Sequence, residues 1–418
     1  MLKEKRRLIK LSGQFCLALM VALMLHVGDG AIPMPAQAAS DKAPDEILFG
    51  NPIALSGMYS AGAMMSQIRS YDLWVEDINA KGGIYVKEYG KKIPVRIIRY
   101  DDKSDLGTTV KLTEKLILHD KVHFILPPWG TAAHFAIAPI INKYKTPVVG
   151  ITASSEKLRE LAPKIPYLFI LLNQPEEMGK ALVELCKELQ VKSAAVIHHT
   201  DLHGIEFAGK VVPQLAVAGI DLALYKSYPL GSKDLSPLLK EAKAANPDAF
   251  IAFSYPPGTF LITAQSKAIG FNPKLFYATV GVAFPSYRDK FGAKTVEGIM
   301  GAGVWNPKVP YPGAKEWYDR YVKRWNVEPD RWGTAGGYAT CEIMQKAIEI
   351  AGTLDPQKVR DVIAREKFDT VLGPVKFEGQ FNIYYPGQVG QWQNGEFEVV
   401  DKKTRTAPPI YPKPPWPK

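Results

Sequence analysis

The chain is poor in cysteine, with three such residues in 418. Cys16 lies inside an apolar stretch near the N-terminus, and Cys186 and Cys341 each stand among apolar residues in a predicted helix. This scarcity excludes a dense disulfide framework, although an oxidising compartment would permit one bridge. Because isolated cysteines in helices are most often small buried residues, we expect Cys186 and Cys341 to be free thiols.

Beyond the N-terminal region the sequence has no apolar run long enough to span a bilayer. Residues 1–38 have the order of a secretory signal: a basic start, an apolar run over residues 11–27 and a small-residue segment ending at Ala38. We therefore expect cleavage after Ala38, export to the periplasm and a soluble product. The pair Arg6-Arg7 leaves both the general secretory route and the twin-arginine route open.

Motifs for catalysis and for nucleic-acid binding are also missing. The sequence has no Gly-x-Ser-x-Gly elbow, P-loop or His-Glu-x-x-His. Ser154 and Lys157 match Ser-x-x-Lys, but the companion Ser-Asp-Asn and Lys-Thr-Gly elements are absent. The formal net charge of +10 comes from scattered basic residues and not from a cluster. We expect no enzyme activity, no cofactor and no nucleic-acid partner.

Three histidines and an aspartate lie close together after a predicted strand: His198, His199, Asp201 and His203. Such side chains can bind metal ions. However, their spacing on a loop has no regular ligand geometry and includes no cysteine. We therefore expect them to form the rim of a pocket and to hold no metal.

Short apolar strands alternate with amphipathic helices along most of the chain. This pattern predicts parallel sheets covered by helices on both faces, and its two consecutive series predict two doubly wound lobes. Helices dominate residues 313–365, a β-rich segment follows over residues 371–400, and the proline-rich tail is expected to be irregular. The predicted strands of the two series are residues 47–53, 95–100, 122–126, 147–151, 167–171, 194–198, 222–228, 249–254, 275–278 and 298–301.

Two predicted turns between a strand and a helix suit a bound anion. Residues 130–132 and 152–154 offer backbone N–H groups, small side chains and hydroxyls where ligands bind in open parallel sheets. Ordinary N-capping would use the same residue types, so the pattern alone leaves both interpretations open. Trp129 and Tyr255 directly follow strands, which places them to line a cleft.

Short motifs recur in order along both predicted lobes. They are LSG at 55–57, VEDINAKGG at 75–83, YDDKSD at 100–105, API at 138–140, TPVV at 146–149, NPDA at 246–249, VRD at 359–361 and LGPVKF at 372–377. Taken together, these motifs resemble the branched-chain amino acid (Leu/Ile/Val) solute-binding proteins of ABC transporters, from residue 46 to residue 400.

The resemblance implies an α/β type I periplasmic-binding fold, with two doubly wound parallel-sheet lobes joined by three crossovers. The lobes close on a ligand by a hinge motion. The expected segments are the signal peptide (1–38), lobe 1 (46–165, returning at 301–370), lobe 2 (166–300, returning at 371–400) and an irregular tail (401–418).

The resemblance also implies a set of binding residues. By position, the family's carboxylate-binding side chains fall on Thr131, Thr152 and Ser154, with main-chain groups around Gly130 sharing that role. Trp129 lies beside them.

Aromatic side chains are expected to complete the site. The family's second-lobe tyrosines correspond to Tyr255, which is retained, and to His203, which is a substitution. Tyr59 is the aromatic residue nearest the turn expected to cover the ligand.

The turn after the strand ending at Ala278 departs from the family. Members that hold an α-amino group have an acidic residue there, whereas this chain reads Thr279-Val280-Gly281-Val282. Because a buried ammonium without a carboxylate is costly, we predict a hydrophobic or aromatic carboxylic acid in a pocket that includes Val280. A branched-chain amino acid is the close rival.

The expected partners are the small-molecule carboxylate and the permease subunits of an ABC transporter, which the protein is expected to serve as a monomer. A ligand sensor for a signalling partner is the alternative.

Overall fold

The computed structural model of the protein describes residues 42–303, 305–384, 389–402 and 405–418. The predicted signal peptide lies outside the described residues. The chain divides into two units, Met1–Ala43 and Pro44–Lys418, and the elements of the fold belong to the second.

Strands and helices alternate along the second unit. The strands are β1 (Ile47–Ile53), β2 (Ile84–Val86), β3 (Lys91–Ile93), β4 (Val95–Asp101), β5 (Phe124–Ile125), β6 (Val148–Gly150), β7 (Leu168–Ile170), β8 (Ser193–His199), β9 (Asp221–Tyr228), β10 (Ala249–Phe253), β11 (Leu275–Ala278), β12 (Met300–Ala302), β13 (Lys367–Thr370), β14 (Gly373–Glu378), β15 (Phe381–Asn382), β16 (Val389–Gln393) and β17 (Glu396–Val399).

The helices connect most of these strands. They are α1 (Ser60–Ala63), α2 (Arg69–Ala80), α3 (Leu106–Leu118), α4 (Thr131–Lys143), α5 (Glu156–Leu161), α6 (Pro175–Glu188), α7 (Leu202–Val217), α8 (Ser236–Ala244), α9 (Pro256–Ala268), α10 (Pro285–Phe291), α11 (Ala293–Val296), α12 (Ala314–Trp325), α13 (Thr334–Ala351) and α14 (Pro356–Arg365), with a π-helical turn (Met64–Ile68) and 3₁₀ turns (Lys87–Tyr89, Ala162–Lys164).

The helical segment from α1 to α2 illustrates how the apolar pattern directs folding. Tyr71, Trp74 and Ile78 recur at spacings of three and four, and all three are buried. The segment ends before Gly82 and Gly83, whose φ angles are 89° and 99°, a conformation that glycine adopts without steric cost. The helix predicted to end at these glycines is confirmed.

The first lobe contains two sheets. A three-stranded parallel sheet has the order β4-β1-β5, and a five-stranded sheet has the order β13-β14-β15-β7-β6. One apolar cluster includes Ile125 of β5, Val148 of β6 and Phe381 of β15, so the two sheets share a core.

The second lobe is built on a seven-stranded sheet with the order β17-β16-β12-β11-β10-β8-β9. Strands β8 to β12 pair in parallel, whereas β16 pairs antiparallel with β12 and β17 forms the antiparallel edge beyond it. The chain passes from the first lobe to the second after β7, returns after β12 and passes to the second again after β15. The predicted α/β architecture of two doubly wound lobes with three crossovers is therefore confirmed.

Strand pairing differs from the lobe boundaries expected at residues 166 and 371. Leu168 of β7 pairs in parallel with Val148 of β6, and Phe381 of β15 pairs with Ile170 of β7. All these strands belong to the first lobe, which the chain leaves only after β7 and after β15. An apolar run predicts a buried strand, but it does not specify which sheet edge that strand will join.

The proline-rich tail has no helix or strand in its described residues, yet it packs on the second lobe. The indole N–H of Trp416 donates to the carbonyl of Phe271 at 2.8 Å, and the backbone N–H of Lys413 donates to the carbonyl of Lys274 at 2.7 Å. Lys413 is only 3% exposed. The tail is therefore part of the packed structure.

The two cysteines of the described residues lie in helices α6 and α13. Cys186 and Cys341 are free and buried, as predicted. Every described helix is too short or too polar to cross a bilayer.

Candidate functional site

A narrow cavity lies between the lobes, at the carboxyl ends of the strands. The cavity volume is about 10 Å³, which is room for about one water molecule. Side chains of the protein itself therefore fill most of the cleft. The lining residues are Trp129, Thr131, Thr152, Ser154, Leu172, Met178, His203, Phe207, Tyr255, Thr279, Val280, Ala302 and Trp332.

The fold brings the residues predicted from the sequence together at this cavity. Tyr59 lies outside the lining but packs against two lining rings, and Gly130 stands between two lining residues. The other predicted residues line the cavity directly: Trp129, Thr131, Thr152, Ser154, His203, Tyr255 and Val280.

On the first lobe, two turns face each other and exchange hydrogen bonds. The N–H of Gly130 donates to Thr152 Oγ1 at 3.0 Å, and the N–H of Ser154 donates to Thr131 Oγ1 at 3.2 Å. Ser154 Oγ donates to the carbonyl of Asn173 at 2.7 Å. We call Gly130, Thr131, Thr152 and Ser154 the first-lobe cradle. Its polar groups are buried and mutually paired.

Gly130 sets the geometry of the cradle. Its φ of 95° and ψ of 149° lie in a region that is essentially restricted to glycine. As the N-cap of α4 it supplies no side-chain cap, so the helix begins with uncapped N–H groups that attract an anion.

Buried His134 supports the same turn. Its Nδ1 lies 2.8 Å from the carbonyl oxygen of Gly130, so Nδ1 carries the proton. Burial lowers the pKa of His134 to about 4, which keeps the ring neutral at pH 7.

The second turn of the cradle differs from expectation in one respect. Helix α5 begins at Glu156, two residues beyond Ser154, and Ser155 caps it by accepting from the N–H of Lys157 at 3.1 Å. Only α4 therefore presents its N-terminus directly to the cradle.

Aromatic rings from both lobes meet across the cleft. Trp129 of the first lobe lies 5.4 Å from Tyr59 and 5.0 Å from Tyr255 of the second, measured between ring centroids. Trp332 lies 6.4 Å from Trp129, and the Trp129 indole N–H donates to Ser66 Oγ at 3.0 Å. These contacts close the cleft and place a large apolar surface beside the cradle.

His203 continues this ring stack into the second lobe. Its ring stacks on Tyr255 with centroids 5.0 Å apart, and it contacts Phe207 at 4.5 Å. His203 Nε2 lies 3.3 Å from Thr279 Oγ1. Burial lowers the pKa of His203 to about 3, so the ring packs as a neutral aromatic at pH 7.

Behind Tyr255 and His203 lies a group of polar side chains with unsatisfied atoms. Both ring nitrogens of His199, Oδ2 of Asp201 and the hydroxyl of Tyr228 are buried and have no hydrogen-bond partner in the described residues. An unsatisfied buried polar group costs about 1–3 kcal/mol, so several in one place require an explanation. We call these three residues the second-lobe polar cluster.

Asp201 behaves unusually for its position. It is the N-cap of α7, where aspartate commonly caps, yet its side chain makes no capping hydrogen bond. Its carboxylate interacts with the hydroxyl of Tyr255, and burial raises its pKa. From the sequence, Asp201 was predicted only to lie at a pocket rim. The described residues contain no group of three or more His, Cys, Asp or Glu side chains arranged to hold a metal ion.

Several lining residues were not predicted. Trp332 arrives from a segment some 200 positions beyond Trp129, positioned by Asp330, which accepts from the N–H groups of Trp332 and Gly333 at 2.6 Å each. The turn-forming sequence at 330–333 before a helix was the available signal. The other unpredicted residues of the lining are Leu172, Met178, Phe207, Thr279 and Ala302.

The chain belongs to the periplasmic binding protein family, whose model matches residues 46–395. Within that family, the resemblance to the branched-chain amino acid solute-binding proteins of ABC transporters is confirmed. The chain is 26% identical over 356 residues to the leucine-, isoleucine-, valine-, threonine-, and alanine-binding protein of Pseudomonas aeruginosa strain PAO1, a match covering 84% of this chain and 86% of that one.

Solved structures show the same type I periplasmic-binding fold. The branched-chain amino acid transporter substrate-binding protein LivJ from Streptococcus pneumoniae, in complex with isoleucine, matches with a TM-score of 0.75 and 20% identity, covering 85% of this chain and 99% of that one. An ABC transporter solute-binding protein from Rhodopseudomonas palustris BisB5, in complex with 3,4-dihydroxybenzoic acid, matches with a TM-score of 0.72 and 18% identity, covering 86% and 97%.

Proposed function

We propose that this periplasmic binding protein captures a hydrophobic or aromatic carboxylic acid and delivers it to the permease subunits of an ABC transporter. It acts as a monomer, without turnover of the acid, after export directed by the N-terminal segment. The related proteins include substrate-binding proteins of transporters, which supports a role in transport. Some of these relatives bind amino acids and one binds an aromatic acid.

The first-lobe cradle is the observation that carries the proposal. Two N–H groups, three hydroxyls and the N-terminus of α4 converge at one end of the cavity. These are donors suited to a carboxylate, which would exchange their mutual hydrogen bonds for stronger, charge-assisted ones. No formal positive charge is needed, because the helix dipole and aligned donors stabilise the anion.

The remaining lining supports an apolar ligand body. Val280 stands where an amine-binding acid is expected in the family, and it is 2% exposed. Burial of apolar surface against such a lining favours binding by about 25 cal/mol per Å². The apolar lining side chains are Trp129, Leu172, Met178, Phe207, Val280, Ala302 and Trp332.

A branched-chain amino acid is the second candidate. The observation that favours it is Asp201, whose carboxylate interacts with Tyr255 and could accept an ammonium group in place of the acid missing after β11.

Titration calorimetry of the purified protein with benzoate, phenylpropenoate and leucine separates the two candidates. We expect at least one of the aromatic acids to bind and leucine to bind at least about tenfold more weakly, a difference of about 1.4 kcal/mol. Tight leucine binding with no response to either acid would contradict the proposed ligand class.

A further inference from the structure

The cleft has a second polar end that the proposed carboxylate site does not use. Among the residues that the structure describes, both ring nitrogens of the completely buried His199 and the hydroxyl of Tyr228, which is 5% exposed, have no hydrogen-bond partner. Asp201 adds a carboxylate oxygen that is also buried and unpartnered. Groups of this kind are normally paired in a folded protein, so the cluster lacks a partner that another molecule can supply.

The cluster lies one ring away from the cavity. The His199 ring is 4.6 Å from Tyr255 and 5.5 Å from His203, the two second-lobe rings that line the cleft. His199 also lies 6.3 Å from Tyr228, and all three cluster residues stand at or just beyond the carboxyl ends of β8 and β9. The rings of Tyr255 and His203 therefore stand between His199 and the cavity.

Tyr255 also indicates which chemical group fits between the two ends of the cleft. Its phenolic oxygen lies 3.9 Å from the position that a Cβ on Gly130 of the first-lobe cradle would take, and its ring lies 4.6 Å from that of His199 in the cluster. The closed structure thus holds a phenol hydroxyl at the position that joins the two polar ends. A hydroxyl on the ligand could take the same place.

The cluster offers both donors and acceptors. Burial holds the pKa of His199 well below its usual value, so the ring is neutral, with one donor and one acceptor nitrogen. Burial raises the pKa of Tyr228, so its hydroxyl stays protonated. A hydroxyl group both donates and accepts and can pair with this mixture, whereas an ammonium group only donates.

We propose that the second-lobe polar cluster of His199, Asp201 and Tyr228 is a subsite for a hydroxyl group at the end of the ligand opposite its carboxylate. The ligand is accordingly a hydroxylated aromatic acid, whose hydroxyl displaces that of Tyr255. This inference rests on the proposed function, because the subsite is defined relative to a carboxylate held by the first-lobe cradle.

The test compares acids that differ only in a hydroxyl. The affinities of 4-hydroxybenzoate and benzoate, and of 4-hydroxyphenylpropenoate and phenylpropenoate, are measured by calorimetry on the wild-type protein. We expect the hydroxylated member of at least one pair to bind about tenfold or more tightly, because it satisfies buried groups that the other leaves unpaired.

Variants then locate the effect. Tyr228→Phe should reduce the advantage of the hydroxylated acid to about threefold or less while leaving the affinity of its partner nearly unchanged, which also reports that the variant folds. Ser266→Ala is the control, because within the described residues the Ser266 hydroxyl is likewise buried and unpartnered but lies on α9, outside the cavity lining. It should leave both affinities unchanged.

Two results would overturn the inference in distinguishable ways. Equal affinity within both pairs would mean that water satisfies the cluster, and the proposed function would stand. Binding of leucine with no binding of any acid would remove the proposed function itself.

Discussion

The two walls of the cleft differ in how their polar groups are satisfied. On the first lobe, the hydroxyls of Thr131, Thr152 and Ser154 are paired within the protein, so the cradle is in place before a ligand arrives. On the second lobe, His199 and Asp201 hold buried atoms that have no partner in the described part of the chain. From this contrast we expect the two walls to have different roles. The first wall is preorganised and orients the carboxylate. The second wall gains hydrogen bonds when the ligand binds, and this gain favours closure.

The largest expected effect comes from altering the preorganised wall at its backbone. Gly130→Ala places a Cβ 3.9 Å from Tyr255 Oη, an ordinary contact, but φ is 95°, so the turn must shift or accept strain of about 1–3 kcal/mol. We expect acid binding to weaken by about tenfold to a hundredfold in calorimetry, because the cradle N–H groups lose alignment.

Gly209→Ala is the control for the first prediction. It lies inside α7 with nothing within 4 Å of the added Cβ, so it should stabilise the protein by about 0.5–1 kcal/mol and leave binding unchanged. Full affinity in Gly130→Ala would show that the first wall does not depend on its glycine turn.

The second-largest expected effect is on the pH dependence of stability, and it comes from the buried His203 of the second wall. The pKa of His203 is lowered to about 3, so protons bind the unfolded chain preferentially below its ordinary pKa near 6.5. Stability from this group is complete above about pH 6.5 and decreases as the pH falls. We expect the free energy of unfolding of the ligand-free protein, measured by chemical denaturation, to fall between pH 7 and pH 5. The fall should be about 2 kcal/mol smaller in His203→Phe than in the wild type.

His119→Gln is the control, because His119 is exposed in the folded protein. The fall in its free energy of unfolding between pH 7 and pH 5 should equal that of the wild type. If His203→Phe behaves like the control, His203 is not held neutral by burial and the contrast between the walls weakens.

The smallest effect concerns single hydroxyls of the cradle. Thr131→Ala and Ser154→Ala should each weaken acid binding about tenfold, because each removes one donor to the carboxylate. Thr113→Ala, which removes a buried, hydrogen-bonded hydroxyl in α3, should leave affinity unchanged. Unchanged affinity in both cradle variants would place the carboxylate elsewhere.

Features governed by local sequence were predictable. Strands β1 and β11 coincide with their predicted bounds, because a short run of apolar residues ended by turn-forming residues specifies them. The cradle turns were also predictable, since strand-to-helix turns in parallel sheets converge at one edge.

Features that depend on distant parts of the chain were not predictable. The pairing of β15 with β7 joins residues more than 200 positions apart, and Trp332 reaches the cavity from a similar distance. Asp201 was predicted only to lie at a pocket rim, and only the packing of Tyr255 against it gives its carboxylate another role. Short sequence motifs do not predict contacts between residues that are far apart in the chain.

The near-complete filling of the cleft has a practical consequence for spectroscopy. Trp129 and Trp332 line the cavity, and Trp129 lies within ring contact of Tyr59 and Tyr255. Any ligand that enters must displace or repack these rings, which changes the polarity and the quenching groups around two indoles. The protein therefore carries its own optical reporter, and its intrinsic tryptophan emission should follow occupancy of the cleft without an attached dye.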